Sequence, residues 1–165
     1  MGLQELIQTI KPADAQAYEA CVARYNAVAK PVGSLGKLEE LLERVAAVYG
    51  DPCVDIRKKC VLVFCGDNGV LAQGVAQSTS DVTTAIGRSL VAGTASVNVM
   101  SKACGADVFP IDMGMVDAVP GLLDRRLGAG TADISQGPAM SRETAERGIL
   151  AGIELVKQRK EKAIV

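Results

Sequence analysis

The sequence predicts an α/β domain built on a parallel sheet with flanking helices, preceded by a helical N-terminal segment. Three observations predict it. Two apolar runs, Cys60 to Cys65 and Asp107 to Met115, lack polar alternation, which is how strands buried on both faces read. Between them lie two stretches with helical character, so the order is strand, helical crossover, strand, and such a unit is parallel and right-handed. Residues 1–50 carry only helical periodicity, which divides the chain into a helical segment, 1–50, and the first part of an α/β domain, 51–165.

The elements follow in order. Leu3, Leu6 and Ile7 make a short apolar helical face, and Pro12 suits the first turn of a second helix running to about Lys30. Tyr18, Val22, Tyr25 and Ala29 recur along that helix at helical spacing. After the loop KPVGSLG (30–36), KLEELLERVAAVYG reads as a strong helix with Leu38, Leu41, Leu42, Val45 and Val48 on one stripe and Gly50 as its stop. The first strand ends at Gly66-Asp67-Asn68-Gly69. Ser80-Asp81 opens a helix to about Ala92, and Ala95 to Cys104 forms another, stopped by Gly105. Residues 116–139 are punctuated by Gly and Pro, with a short strand expected within Leu122 to Leu127. Ser141 is an N-cap for a helix running to about Arg159, with Glu143 and Glu146 in its first turns. The closing KAIV (162–165) reads as the start of a third parallel strand, which would leave the domain incomplete where the sequence stops.

Composition removes several kinds of function. The 165 residues include 18 Lys and Arg against 19 Asp and Glu, for a net charge of −1, and no block of like charge. That balance offers no footprint for nucleic acid or an anionic membrane surface. With three Tyr, two Phe and no Trp, platforms for base stacking are scarce. There is no histidine, which removes Ser-His-Asp triads, His-ligated zinc and His proton shuttles. Cysteines 21, 53, 60, 65 and 104 form no C-x-x-C pair, so neither a disulfide framework nor a zinc ribbon is indicated. Free thiols, the lack of an apolar signal segment and the lack of a membrane-length run together read as a cytoplasmic chain.

Three loops can carry chemistry. GDNGVLAQGVAQSTSDVTT (66–84) follows the first strand, where parallel sheets bind ligands, and offers Asp67, Asn68, Gln77, Ser78 and Ser80 among glycines. The alternative is a surface loop whose Asp and Asn only make turns. KPVGSLG contains Gly33 and Ser34 beside Lys30 and Lys37, and its helix N-terminus can either hold an anion or simply start a helix. GAGTADISQGPAMS (128–141) contains Gly130, Thr131 and Asp133 but fails the G-x-G-x-x-G pattern, so no dinucleotide fingerprint exists. Asp112 reads as a ligand-facing carboxylate or a strand-end cap, and Cys65 as a small buried hydrophobe.

Five strings occur in order: KPVGSLGKLEEL, VFCGDNGVLAQGV with SDVT, AGTASVNVM, GADVFPIDMGM and GPAMSRETAERGILAG. Together, from about Lys30 to Gly152, they resemble the nicotinate-nucleotide–dimethylbenzimidazole phosphoribosyltransferases. The resemblance implies a Rossmann-like parallel sheet and a small helical domain in a homodimer that uses no cofactor and no metal. It implies transfer of phosphoribose from nicotinate mononucleotide to 5,6-dimethylbenzimidazole, giving α-ribazole 5′-phosphate and nicotinate for the lower ligand of cobalamin. On this chain it implies Asp67, Asn68, Gln77 and Ser80 in the base pocket, with Gly33, Ser34, Gly130 and Thr131 lining the substrate cleft.

The sequence departs from the family pattern at Asn68, where D-H-G is common, and at Val75 to Thr83, where V-S-x-x-P-Q-E-V-T is common. Ala76 and Ser80 replace the Ser and Gln expected to meet the base, which leaves the preferred azole open. Family members also continue into a G-E-M-G-x-x-N-T-T block and a glutamate base that have no counterpart here, so the resemblance assigns no catalytic residue and implies inactivity of this chain alone. The alternative is a non-catalytic azole-binding or assembly module that pairs with a separate C-terminal half.

Overall fold

The computed structural model describes residues 2–55 and 57–159. The chain divides into two compact units, Met1–Ile56 and Arg57–Val165. The KAIV segment, expected to start a strand, lies outside the described residues.

The first unit holds α1 (Leu3–Gln8), α2 (Ala15–Ala27) and α3 (Lys37–Tyr49). Asp14, not Pro12, begins α2, because its carboxylate accepts hydrogen bonds from the backbone N–H groups of Gln16 (2.8 Å) and Ala17 (3.0 Å). The helix also stops earlier than expected, at Ala27. Gly50 ends α3 as expected, with φ +68° and its N–H donated to the Ala46 carbonyl at 2.8 Å.

The α2–α3 contact does not use the face that periodicity picks out. Ala17 and Cys21 of α2 are buried, as are Glu39, Glu43, Ala46 and Ala47 of α3, whereas Leu38, Leu41 and Val48 are 51%, 58% and 76% exposed. Small side chains let the two helices approach closely, and two carboxylates are drawn inside by local partners. Glu43 lies beside the Tyr18 hydroxyl, and its charge, with burial second, holds that hydroxyl above the usual tyrosine range. Glu39 is engaged at the start of its own helix, by Lys30 and the Leu35 N–H.

The second unit is α/β. Strands β1 (Lys59–Gly66), β2 (Ala106–Gly114) and β3 (Leu123–Asp124) form a parallel sheet in the order β1-β2-β3. Helices α4 (Ser80–Ala92) and α5 (Ser96–Ala103) connect β1 to β2, and α6 (Arg142–Arg159) follows β3. α4 packs on β1 and β2, and α5 on β2. The elements expected on the described residues of this unit are therefore present, including the short strand.

β1 differs in burial. Among the described strands it lies at the sheet edge, and Phe64 is 50% exposed, so the run is half-buried rather than enclosed on both faces. Continuous apolar character here marks a strand with one open side and a cavity at its end. The core beneath it joins Cys65, Leu90, Met115 and Val119. Cys65 is the small buried hydrophobe that the sequence suggested, and burial pushes its thiol up, with Asp112 adding to the effect.

Candidate functional site

Parallel pairing places the carboxyl ends of β1 and β2 side by side. Register runs from Lys59↔Ala106 to Cys65↔Asp112 and then slips to Gly66↔Gly114, so β2 has one extra residue, Met113, at the very end. The slip opens the Gly114 carbonyl to two loops at once. It accepts from the N–H groups of Asp67 and Gly130, each at 3.0 Å.

Those loops are stapled to each other. Thr131 N–H donates to the Asp67 carbonyl at 3.0 Å, Gly69 N–H to the Thr131 hydroxyl at 3.3 Å, and Gln73 Nε2 to Asp133 Oδ2 at 2.7 Å. Gly69 is required by the approach: a Cβ there would lie 2.5 Å from the Thr131 carbonyl oxygen and 2.7 Å from the Ala132 carbonyl carbon. Ser135, then Gln73, hydrogen-bond the Asp133 carboxyl and hold it below the usual carboxylate range.

Asp67 is 5% exposed. Its Oδ2 accepts from the Val116 N–H at 2.8 Å, which ties the end of β1 to the segment after β2. Its Oδ1 is also buried but has no hydrogen-bond partner among the described residues. Asp112 is the strand-end cap rather than a ligand group. Its Oδ1 accepts from Gly114 N–H (3.0 Å) and Met115 N–H (2.9 Å), and Arg126 Nε stands 3.8 Å from its Oδ2.

α6 supplies the opposite wall. Ser141 caps it as expected, its hydroxyl accepting from Thr144 N–H at 3.1 Å. Between α6, the 127–131 loop and the strand ends lies a cavity of about 590 Å³. Apolar side chains of Phe64, Met113, Leu127, Met140 and Ile149 line it, and so does the backbone of Gly66, Gly114, Gly128 and Gly130. Asp67, Asn68 and Thr131 bring polar groups, and Asp67 is the only carboxylate among the described lining residues.

Of the residues singled out from sequence, Asp67, Asn68, Gly130 and Thr131 meet here. Gln77 and Ser80 do not line the cavity; Ser80 opens α4, and its carbonyl accepts from the Thr84 hydroxyl at 3.4 Å. Gly33 and Ser34 belong to the other unit, in a turn closed by Ser34 N–H to the Pro31 carbonyl (3.1 Å) and Gly36 N–H to the Gly33 carbonyl (3.0 Å). Lys30, next to that turn, is committed to Glu39: its ammonium lies 2.8 Å from Glu39 Oε1, which also accepts the Leu35 N–H at 2.9 Å. The helix start thus carries its own anion.

Sequence reasoning missed the α6 wall formed by Thr144, Ala145, Gly148, Ile149 and Gly152. A signal was available, because two glycines inside one helix each cost about 1 kcal/mol relative to Ala, so a close approach is the reason to look for. Gly148 meets that reading, since a Cβ there would lie 3.0 Å from Leu127 Cδ1.

A family model described as phosphoribosyltransferase matches residues 10–165. The chain belongs to this phosphoribosyltransferase family. Its relatives include the nicotinate-nucleotide–dimethylbenzimidazole phosphoribosyltransferase of Ruminiclostridium cellulolyticum, 36% identical over 99% of this chain and 47% of that protein. The enzyme of the same name from Geobacter metallireducens is 38% identical over 93% of this chain and 44% of that protein. In the crystal structure of nicotinate-nucleotide–dimethylbenzimidazole phosphoribosyltransferase from Thermus thermophilus, 47% of the chain superimposes on 92% of this one, with a TM-score of 0.84 and 34% identity. The chain thus spans about half the length of the curated relatives it matches. The resemblance carried by its five motif strings is borne out, and so is the α/β fold.

Proposed function

We propose that this chain forms the substrate-holding part of an enzyme that transfers phosphoribose from nicotinate mononucleotide to 5,6-dimethylbenzimidazole, yielding α-ribazole 5′-phosphate and nicotinate for the cobalamin lower ligand. The observation that carries the reading is the 590 Å³ cavity at the carboxyl ends of β1 and β2, where open α/β sheets bind ligands. Its apolar walls suit flat rings, and its glycine backbone lets a sugar come close.

The reaction breaks the bond between ribose C1′ and the pyridinium nitrogen, whose electron pair stays on nicotinate. An azole nitrogen forms the new bond to C1′, and its N–H proton passes to a base. A cationic leaving group makes positioning the larger demand, and cavities of this kind meet it by fixing the two reactants together. Asp67, the only carboxylate among the described lining residues, has Oδ2 engaged by the Val116 N–H and Oδ1 buried out of reach of a ligand in the cavity, so no lining carboxylate stands free as the proton acceptor. We therefore read the chain by itself as binding without turnover. The residues this reading relies on are Asp67, Asn68, Gly130 and Thr131. Gln77, Ser80, Gly33 and Ser34 carry none of the argument. The same reading places the enzyme in the cytoplasm as a homodimer, without a nucleic-acid partner; among the described residues no helix is long and apolar enough to cross a membrane.

Calorimetry with nicotinate mononucleotide and 5,6-dimethylbenzimidazole tests binding, and chromatography for α-ribazole 5′-phosphate tests turnover. Binding without product is expected. No heat with either compound at saturating concentration would sink the binding claim, and product at enzyme-like rates would sink the claim of inactivity.

The assembly reading has one observation in its favour. β1 is an eight-residue edge strand among the described strands, and such edges invite pairing. A separately expressed C-terminal half of a relative should then co-purify with this chain and restore product formation; failure to associate removes that reading.

A further inference from the structure

We infer that Phe64 of β1 and Gly152 of α6 select the azole: the flat benzimidazole ring lies against the Phe64 ring, in the space that Gly152 leaves open. This assignment rests on the proposed function and gives one of its two reactants a place.

Gly152 lies well inside α6, where glycine is less favourable than alanine. Gly148, one turn earlier, has a packing cause, because a Cβ there would stand 3.0 Å from Leu127 Cδ1. Gly152 has none. Apart from its chain neighbours and its own helix backbone, a Cβ there would meet nothing within 4 Å among the described residues. What Gly152 borders is the cavity, so the missing side chain serves the empty space rather than the packing of the helix.

Phe64 stands on the strand side of the same cavity. Residues two apart on a strand share a face, and Phe64 and Gly66 both line it. The register partner of Phe64 on β2, Ile111, is 0% exposed, whereas Phe64 is 50% exposed. Phe64 is also the sole aromatic among the described lining residues. An open phenyl ring forgoes hydrophobic stabilisation, and a flat aromatic ligand recovers it by offset stacking or edge-to-face contact.

Charge decides which ring enters. No Lys or Arg is among the described lining residues, so the carboxylate of a nicotinate ring would enter this slot without a counter-ion. Neutral 5,6-dimethylbenzimidazole brings two methyl groups and no charge, and an apolar slot takes it without that cost. The entering and leaving nitrogens stand on opposite sides of C1′ in a displacement, so the two rings need separate places. Asn68 and Thr131, on the loops after β1 and β3, leave the sugar a polar side of its own.

Melting curves and calorimetry on Gly152→Ala, Gly152→Leu and Phe64→Leu test the slot. G152A is expected to melt about 2–4 °C above wild type, since the added methyl group meets nothing. A lower melting temperature shows that the glycine serves the fold and overturns the inference. G152L is expected to bind 5,6-dimethylbenzimidazole about tenfold or more weakly, because its side chain occupies the slot. F64L keeps an apolar side chain but loses the ring, and is expected to bind the benzimidazole about threefold to tenfold more weakly. Both variants should hold nicotinate mononucleotide as wild type does. Unchanged benzimidazole affinity in either variant overturns the inference, and so does an equal loss of both compounds. Wild type that binds the nucleotide and not the benzimidazole overturns it too, whereas wild type that binds neither overturns the proposed function itself. Should G152L or F64L not fold, the wild-type protein decides. With its phenylalanine rings labelled, nuclear Overhauser contacts between the benzimidazole methyl protons and the Phe64 ring are expected at saturation, and their absence overturns the inference.

Discussion

Gly69 shows how much of the site depends on a missing side chain. The residue sits where the loop after β1 crosses the 130–133 segment, and a Cβ would fall 2.5 Å from the Thr131 carbonyl oxygen. Backbone, unlike the end of a flexible side chain, cannot step aside alone, so the two loops must part. Gly69→Ala is therefore expected to destabilise the protein by about 1–3 kcal/mol, the range for overpacking. It should also weaken nicotinate mononucleotide binding, because the same movement lengthens the Thr131 N–H bond to the Asp67 carbonyl. Urea denaturation followed by circular dichroism measures the first effect, and an unchanged midpoint would contradict it. Asp67 itself was legible as a candidate from its place after an apolar strand. What no sequence could reveal is that one of its oxygens is engaged and the other is not, since that depends on the register slip beside Gly114.

Helices and strands were read well where periodicity and caps act locally, as with Gly50, Ser141 and the run ending at Gly66. The inside face of α3 was not, because a leucine stripe says which residues are apolar and not which neighbour arrives. Here the neighbour is α2 with Ala17 and Cys21, and it meets Glu39, Glu43, Ala46 and Ala47 instead. Glu39 makes this arrangement acceptable through Lys30 and Leu35 N–H, which, in that order of effect, hold its carboxyl below the usual range. The consequence for pH follows from the sign. A carboxyl whose folded pKa lies below its unfolded value, about 4.3 for Glu, stabilises the fold above that unfolded value. The contribution disappears as pH falls through the folded pKa. Glu39→Gln is expected to lower the denaturation midpoint at pH 7, with the gap to wild type closing as pH drops below about 4. Melting curves of both proteins at pH 7, 5 and 3 check it; a gap that stays constant with pH would show that the ion pair is not its origin.

At the scale of the whole chain, the sequence suggested a helical segment 1–50 followed by an α/β segment 51–165, and the contacts divide into Met1–Ile56 and Arg57–Val165. The candidate site draws all its lining residues from the second unit, a fact hidden from sequence because the Gly/Ser loop at 30–36 looked as eligible as the loop at 128–141. What separates the two loops is their neighbours. Lys30 and Leu35 N–H converge on Glu39 of the same unit, whereas Gly130 and Thr131 are bonded to Gly114 and Asp67 at the strand ends. If the units are separately compact, the segment joining them should be where a protease first finds extended chain. Arg57 and Lys58 are exposed and offer trypsin its recognition residues there. Limited trypsin digestion is therefore expected to cut first after Arg57 or Lys58, giving two fragments that mass spectrometry assigns to the two units. Nicotinate mononucleotide should slow any later cleavage at Arg125 and Arg126, which precede the cavity loop, without slowing the first cut. First cleavage inside α2, α3 or α6 would contradict the two-unit organisation, because those helices have their backbone hydrogen bonds made and would have to open before trypsin could act.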